Sequence, residues 1–361
     1  MTGVFDLVVI GSGGGPDETN LTAYLLKTAD AKWEDGIIAL DAGSGQGALR
    51  QLLKQNSQLF EQHTENNDQD KTGMYNASQI YSFVRSYLIT HAHLDHINSL
   101  VISAGSLSGP RKNIYAAKAI LQDLETIFSD RIWPNLASWN NSDEEHKLLY
   151  KPLEADGNYN AVHTGTSIRS FPLNHGTYQD GSYTSSAFCI RHDPSSVEFL
   201  FFGDVEPDSL APVPRTIDIW RAVAPKIPNS LKAIFIECSW PSGRTDDTLY
   251  GHLTPEHLVA ELVALAKEVV KYRKTELALK TSTRPARKRQ KTNPINDDEL
   301  LDSLNGLRVY VMHCKDDTTS VGGKPMRQLI TDQIRELVNA RQLGATVVCT
   351  EPGMRISVLH F

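Results

Sequence analysis

The sequence predicts an α/β protein, β-sheets with helices packed outside them. Three observations carry this: short apolar runs of strand type recur along the whole chain, stretches of helical period stand between some of them, and turn residues punctuate both. The expected strands are Val4 to Ile10, Ile37 to Leu40, Val84 to Ile89, Ser167 to Leu173, Ala187 to Arg191, Val197 to Phe202, Ala233 to Ile236, Arg308 to Met312, Ala345 to Cys349 and Arg355 to His360. A helical bundle has no use for so much strand. Helices are expected over Gly47 to Gln55, Ala116 to Phe128, Pro255 to Tyr272 and Pro325 to Ala340. The third carries its own start signal, with Thr254 as N-cap, Pro255 in the first helical position and Glu256 in the first turn. Sheets with helices packed outside them follow.

Two segments need separate readings. Gly11-Ser12-Gly13-Gly14-Gly15-Pro16 follows the first strand, but Pro16 stands where a dinucleotide fingerprint needs a small residue at a helix start, so the run is read as a tight strand turn. Residues 274–299 carry Arg284, Arg287, Lys288, Arg289 and Lys291, then Asn293-Pro294 and an acidic patch, with few large apolar side chains. They are expected to form a flexible insertion in a single domain spanning 1–361.

At 361 residues the chain can bury a large core, and 40% apolar with 22% charged residues is ordinary for a globular protein. The formal charge of -7 offers no long-range attraction for DNA, RNA or anionic membranes, although a small anion could still be drawn in by bound metal. Cys189, Cys238, Cys314 and Cys349 are spread singly without a C-x-x-C pair, which suits buried thiols in a reducing compartment. The first ten residues show no basic leader or cleavage site and no apolar stretch is long enough to span a bilayer. A cytoplasmic location is expected, with the nucleus open through the basic cluster.

The informative stretch is Ser86 to Ser99, in which an apolar strand ends at Thr90 and His91, His93, Asp95 and His96 follow within six residues. Neutral imidazoles and an ionised carboxylate are the donors that zinc, and less selectively manganese or iron, accept at neutral pH. His91 and His93, two apart at a strand end, point to the same side and can chelate one ion, while Asp95 and His96 turn into the next segment and can face a second.

The pattern H-x-H-x-D-H at a strand terminus resembles the signature of the metallo-β-lactamase superfamily, whose fold is an αββα sandwich. The longer run His91-Ala-His-Leu-Asp-His-Ile-Asn-Ser-Leu-Val-Ile-Ser-Ala104 is similar to the more specific signature of the class II cyclic nucleotide phosphodiesterases. The resemblance implies three further ligands: His175 after Phe171-Pro-Leu-Asn completes the first metal's set, Asp204 after Phe199-Leu-Phe-Phe-Gly bridges, and His313 after Val309-Tyr-Val-Met is held by the second metal. Asp41, after Ile37 to Leu40, looks like the superfamily's early Asp, which supports the ligand histidines. Glu237, ending Ala233-Ile-Phe-Ile, stands where a carboxylate could orient a ligand or a catalytic His, or simply meet solvent. His252 resembles a catalytic-loop His of related phosphodiesterases, whereas His257, inside the following helix, is read as a packing or surface residue.

The resemblance thus implies two divalent ions, zinc first and manganese second, and a small cyclic nucleotide as substrate, hydrolysed to the 5′-monophosphate with Asp95, Asp204 and His252 as catalytic groups. Three other readings share the metal site. A tRNase Z-like RNA phosphodiesterase should carry a basic surface or RNA-gripping arm, and here only the insertion offers basic charge, so nucleic acid is not the expected partner. A thioesterase or lactamase-type hydrolase does not account for the Ser99 to Ala104 extension. A non-catalytic scaffold should have lost ligands, and none is missing. Neither cAMP from cGMP nor monomer from homodimer can be separated at this level.

Overall fold

Apolar runs that lack a polar face become strands covered on both sides, and this fixes the layering. In the computed structural model, which describes residues 2–61, 75–179, 181–281, 295–315 and 322–360, the first sheet begins with β1 (Thr2–Gly14), β2 (Leu21–Thr28), β3 (Ile37–Leu40) and β4 (Val84–Leu88). It continues with β5 (Lys112–Ala117), β6 (Ala137–Ser138) and β7 (Leu148–Leu153). The second sheet contains β8 (Asn160–His163), β9 (Thr166–Tyr178), β10 (Gly181–His192), β11 (Glu198–Phe202), β12 (Leu231–Glu237), β13 (Arg308–Met312) and β14 (Thr346–Cys349). The last strand, β15 (Arg355–His360), returns to pair with β1, giving the orders β15-β1-β2-β3-β4-β5-β7-β6 and β14-β13-β12-β11-β10-β9-β8.

Three apolar layers hold these sheets. Between them, Phe5, Tyr24, Leu40 and Leu88 meet Phe188, Phe199, Phe201 and Phe235, with the Phe235 ring stacked on Tyr310 at 4.5 Å. Outside the first sheet, Ile10, Ala39 and Ile114 pack under α1 (Gln46–Gln55), α2 (Ala77–Ser82), α3 (Leu94–Ser103) and α4 (Lys118–Ile127) through Leu49, Ile80, Ile97 and Leu121. Outside the second, Leu200, Phe202 and Ile234 meet α5 (Thr216–Val223), α6 (Pro255–Thr281) and α7 (Met326–Ala340) through Trp220, Leu262 and Ile334. Residues 199–202 show the alternation: Phe199 and Phe201 face the other sheet, Leu200 and Phe202 the helices. Each such burial stabilises by about 1.5–3 kcal/mol. The result is the expected αββα sandwich. Cys189, Cys238 and Cys314 are buried, and Cys349 is half-buried.

Several elements differ from expectation. The glycine run is not a turn: β1 continues to Gly14, pairing Gly11 with Ala23 and Gly13 with Leu21. Of residues 274–299, 274–281 continue α6, because Glu276, Leu277, Ala278, Leu279 and Lys280 favour helix even without an apolar face to bury. The basic cluster 284–291 lies outside the described residues. Helix α4 starts at Lys118, since Ala116 is still paired with Pro152 in the sheet.

Candidate metal centre

The site is assembled at one end of the sandwich from the ends of strands in both sheets. Strand β4 delivers Ile89 and Thr90, and the chain then turns into α3, so that His91 and His93 precede the helix while Asp95 and His96 occupy its first turn. From the second sheet, His175 lies in the outer half of β9, Asp204 follows β11, Glu237 ends β12 and His313 follows β13. Residues separated by more than two hundred positions therefore converge.

Two donor sets share one carboxylate. His91, His93, His175 and Asp204 each bring a ligand atom within 4.8 Å of the others, and so do Asp95, His96, Asp204 and His313. Asp204 Oδ2 lies 3.5 Å from His91 Nε2, 3.5 Å from His175 Nε2 and 3.2 Å from His313 Nε2, while its Oδ1 is 3.3 Å from His96 Nε2. Asp95 Oδ2 is 3.6 Å from His313 Nε2. The Nε2 atoms of His91, His96 and His313 are buried and have no hydrogen-bond partner. Leaving one buried donor or acceptor unpaired costs about 1–3 kcal/mol, so three at one point mark a place built for cations.

The opposite ring nitrogens are each fixed. His96 Nδ1 meets Asp41 Oδ2 at 2.8 Å, and the same carboxylate accepts from the Thr90 amide and hydroxyl, each at 2.8 Å. Thr90 Oγ1 is 3.1 Å from His91 Nδ1, His313 Nδ1 is 2.9 Å from Thr22 Oγ1, and His175 Nδ1 donates to the Gly251 carbonyl at 2.9 Å. Such contacts hold a ligand ring in orientation and select its tautomer. Two glycines make this crowding possible. Gly251 has φ of 79°, and a Cβ there would lie 2.7 Å from the His175 carbonyl carbon; a Cβ on Gly14 would lie 2.7 Å from His313 Nε2.

Electrostatics agree with the donor roles. Burial alone would raise the Asp204 pKa, but the imidazoles of His313, His96 and His91 hold it well below the usual carboxylate range. Burial, with the neighbouring His96, keeps His91 neutral, and burial also lowers His175 to about 4. Burial would lower His96 as well, yet Asp204 and Asp41 drive it upward; a carboxylate field that favours a proton on that ring equally favours a metal cation. Ionised Asp204 with neutral His91 and His175 are the forms that ligate.

Beside these sets lies a third group, Asp204, Glu237 and His252. His252 Nδ1 is 2.9 Å from Glu237 Oε1 and 3.8 Å from Asp204 Oδ2. Glu237 is fully buried, not in solvent, and accepts from the Val205 amide at 2.9 Å and the Ser239 hydroxyl at 2.8 Å. Burial opposes ionisation of Glu237, but His252 lowers its pKa, and Glu237 in turn raises that of His252 against the effect of burial. His257 lies apart, 3.4 Å from Asp246 and 2.8 Å from the Thr254 hydroxyl. All ten residues singled out in the sequence thus gather here. Sequence reasoning missed the threonines at 22 and 90, Gly14, and Lys315, whose ammonium donates to the Gly14 carbonyl at 2.7 Å and lies 3.9 Å from Asp95. Lys315 follows the His313 strand end by two residues, and that spacing is the one signal that could have found it.

An αββα sandwich with this histidine and aspartate set at its strand ends defines the metallo-β-lactamase fold class. Within that class, the chain belongs to the class-II cAMP phosphodiesterase family, whose model matches residues 7–353. It is 34% identical over 278 residues, 74% of this chain and 77% of the relative, to a 3′,5′-cyclic-nucleotide phosphodiesterase of Schizosaccharomyces pombe. It is 32% identical over 268 residues to the enzyme of that name from Aliivibrio fischeri, covering 73% of this chain and 76% of that one. The crystal structure of unliganded yeast PDE1 shares the fold, with a TM-score of 0.78, 24% identity and coverage of 99% of this chain and 100% of that one.

Proposed function

We propose that this chain hydrolyses 3′,5′-cyclic nucleotides to nucleoside 5′-monophosphates, with two divalent cations, zinc or manganese, held side by side by His91, His93, His175 and Asp204 and by Asp95, His96, Asp204 and His313. The observation that carries the reading is the convergence of the two donor sets on the shared Asp204. When bound, such ions lower the pKa of a coordinated water and neutralise phosphate charge. The chain's own part is positional. Asp41, Thr22, Thr90 and the Gly251 carbonyl hold the imidazoles toward the centre, and Asp95 and Asp204 supply the negative charge that retains cations there.

His252 is the group that protonates the departing ribose 3′-oxygen. Its Nδ1 is engaged by Glu237, which favours the charged ring and leaves Nε2 to give up a proton. Glu237 is therefore a positioning residue. Three buried cysteines and one half-buried, spread singly along the chain, support a reducing, cytoplasmic site of action. The run 284–291 could add nuclear entry to that.

The test is an assay of purified protein against cAMP, cGMP and a linear diester, with metal content measured on the same sample. Conversion of the cyclic substrates to 5′-monophosphate is expected, abolished in His93→Ala and Asp204→Ala proteins that remain folded. Release of a 3′-monophosphate, or near-normal turnover by a metal-loaded variant, refutes the assignment.

A further inference from the structure

The hairpin of β9 and β10 runs past the edge of the sheet. Its inner part is buried, but the tip, from Thr177 through Thr184, is exposed in all its described residues. Two large aromatic rings are placed there: Tyr178 is 50% exposed and Tyr183 42% exposed, and the rings touch at 5.0 Å between centroids. The pairing explains why Tyr183 points where it does. Ser182 pairs with Thr177 and Thr184 with Asn174, so Tyr183 opposes both His175 and Gly176 across a bulge. Bulges re-aim side chains and are frequent beside active sites.

The bulge brings Tyr183 onto the metal centre. Its ring centroid lies 4.9 Å from that of His93, the one half-buried histidine of the first donor set, and 6.1 Å from that of the buried His175. A cross-strand aromatic pair stabilises its hairpin by only about 0.2–1 kcal/mol, and an aromatic patch left open to water beside a site marks a binding surface. The other exposed aromatic nearby, Tyr250, is already occupied on one side: Arg244 stacks on Trp240 at 3.5 Å and lies 5.8 Å from the Tyr250 ring. On the Tyr183 side no cation covers the ring among the described residues.

From this juxtaposition we infer that Tyr183, backed by Tyr178, is the platform on which the purine base of the substrate stacks while its cyclic phosphate sits at the metal centre. The inference rests on the function proposed above, and it assigns the base-contacting residues. A phosphate at the shared Asp204 is separated from its base by the width of one ribose, and the Tyr183 ring adjoins the His93 ring on the outer side of that set. Stacking tolerates both purines, since each presents a π-face, so the platform binds the base without selecting adenine over guanine.

The experiment compares kcat/KM for cAMP with that for the abasic ribose 3′,5′-cyclic phosphate, in unsubstituted protein and in Tyr183→Ala, Tyr183→Phe and Tyr250→Ala variants of verified metal content. Tyr183→Ala is expected to lower the ratio of the two values by about 5- to 100-fold, the worth of one base–aromatic stack, mainly through KM. Tyr183→Phe should restore the ratio, and Tyr250→Ala should leave it unchanged. Equal losses on both substrates overturn the inference, because Tyr183 would then act by supporting His93. An unchanged ratio, or a fall in Tyr250→Ala alone, overturns it too. If the unsubstituted protein turns over neither cyclic substrate, the proposed function falls with it; if it turns over both, only the platform is at stake.

Discussion

Adding one methyl group at Gly14 is the most discriminating perturbation of the metal centre. The backbone there lies outside the left-handed region, so alanine brings no conformational strain of its own. The new Cβ, however, would stand 2.7 Å from His313 Nε2 and 2.8 Å from its Cδ2. To reach an ordinary contact of 3.4 Å the ring must withdraw by about 0.7 Å. It has little freedom to do so: its amide donates to the Ser12 carbonyl at 2.6 Å, its Nδ1 is engaged by Thr22, and its φ of 55° is already unusual. Metal–ligand distances tolerate only about 0.2 Å, so the ion served by Asp95, His96 and His313 should be lost or weakened at least about ten-fold. Metal analysis after dialysis should give one ion per chain in place of two, with kcat/KM for cAMP down about 100-fold and the midpoint of thermal unfolding of the metal-free protein lowered by only about 1 to 4 °C. Two ions retained with activity within about three-fold of the parent would refute the reasoning.

Other outcomes follow from the same geometry. Asp41→Asn presents an amide N–H to His96 Nδ1 and so selects the tautomer with its proton on Nε2, the nitrogen nearest Asp204; metal affinity measured by competition with a chromogenic chelator should fall about 10- to 100-fold. Glu237→Gln removes the charge that favours protonated His252 and should lower kcat at least ten-fold while metal content stays at the parental value, which a change in metal occupancy would contradict. Chelation of both ions should lower the unfolding midpoint by about 10 to 12 °C when each had been present at about a thousand times its dissociation constant, read by calorimetry with and without chelator.

Much of this was written locally in the chain. H-x-H-x-D-H after an apolar strand carries its meaning in six consecutive residues, and Phe-Phe-Gly-Asp and Val-Met-His each couple a strand to a donor at its end. What was not legible depends on contacts between distant segments. Thr22 is an unremarked strand residue until His313, 291 positions later, lands against it. Glu237 reads equally well as a surface carboxylate, and only the Val205 amide and Ser239 show it to be interior. Strand β2 was overlooked because Leu-Thr-Ala-Tyr-Leu-Leu-Lys-Thr has no alternating pattern when both its faces are covered. In β5 the cause was a buried Lys112, which hides its charge by donating to the Val84 carbonyl at 2.8 Å. The glycine run looked like a turn because glycine usually signals one; here it is a strand thinned so that His313 can approach.

Because its donors come from β4 and α3 on one sheet and from β9, β11 and β13 on the other, the centre acts as a rivet through one end of the sandwich. Opening motions must then begin at the far end, around residues 163–166 and 192–196, where turns alone join the strands. Amide protons should record this as a gradient of exchange with solvent, fastest at those turns and slowest near Thr90 and Val205, and the gradient should flatten once the ions are stripped away.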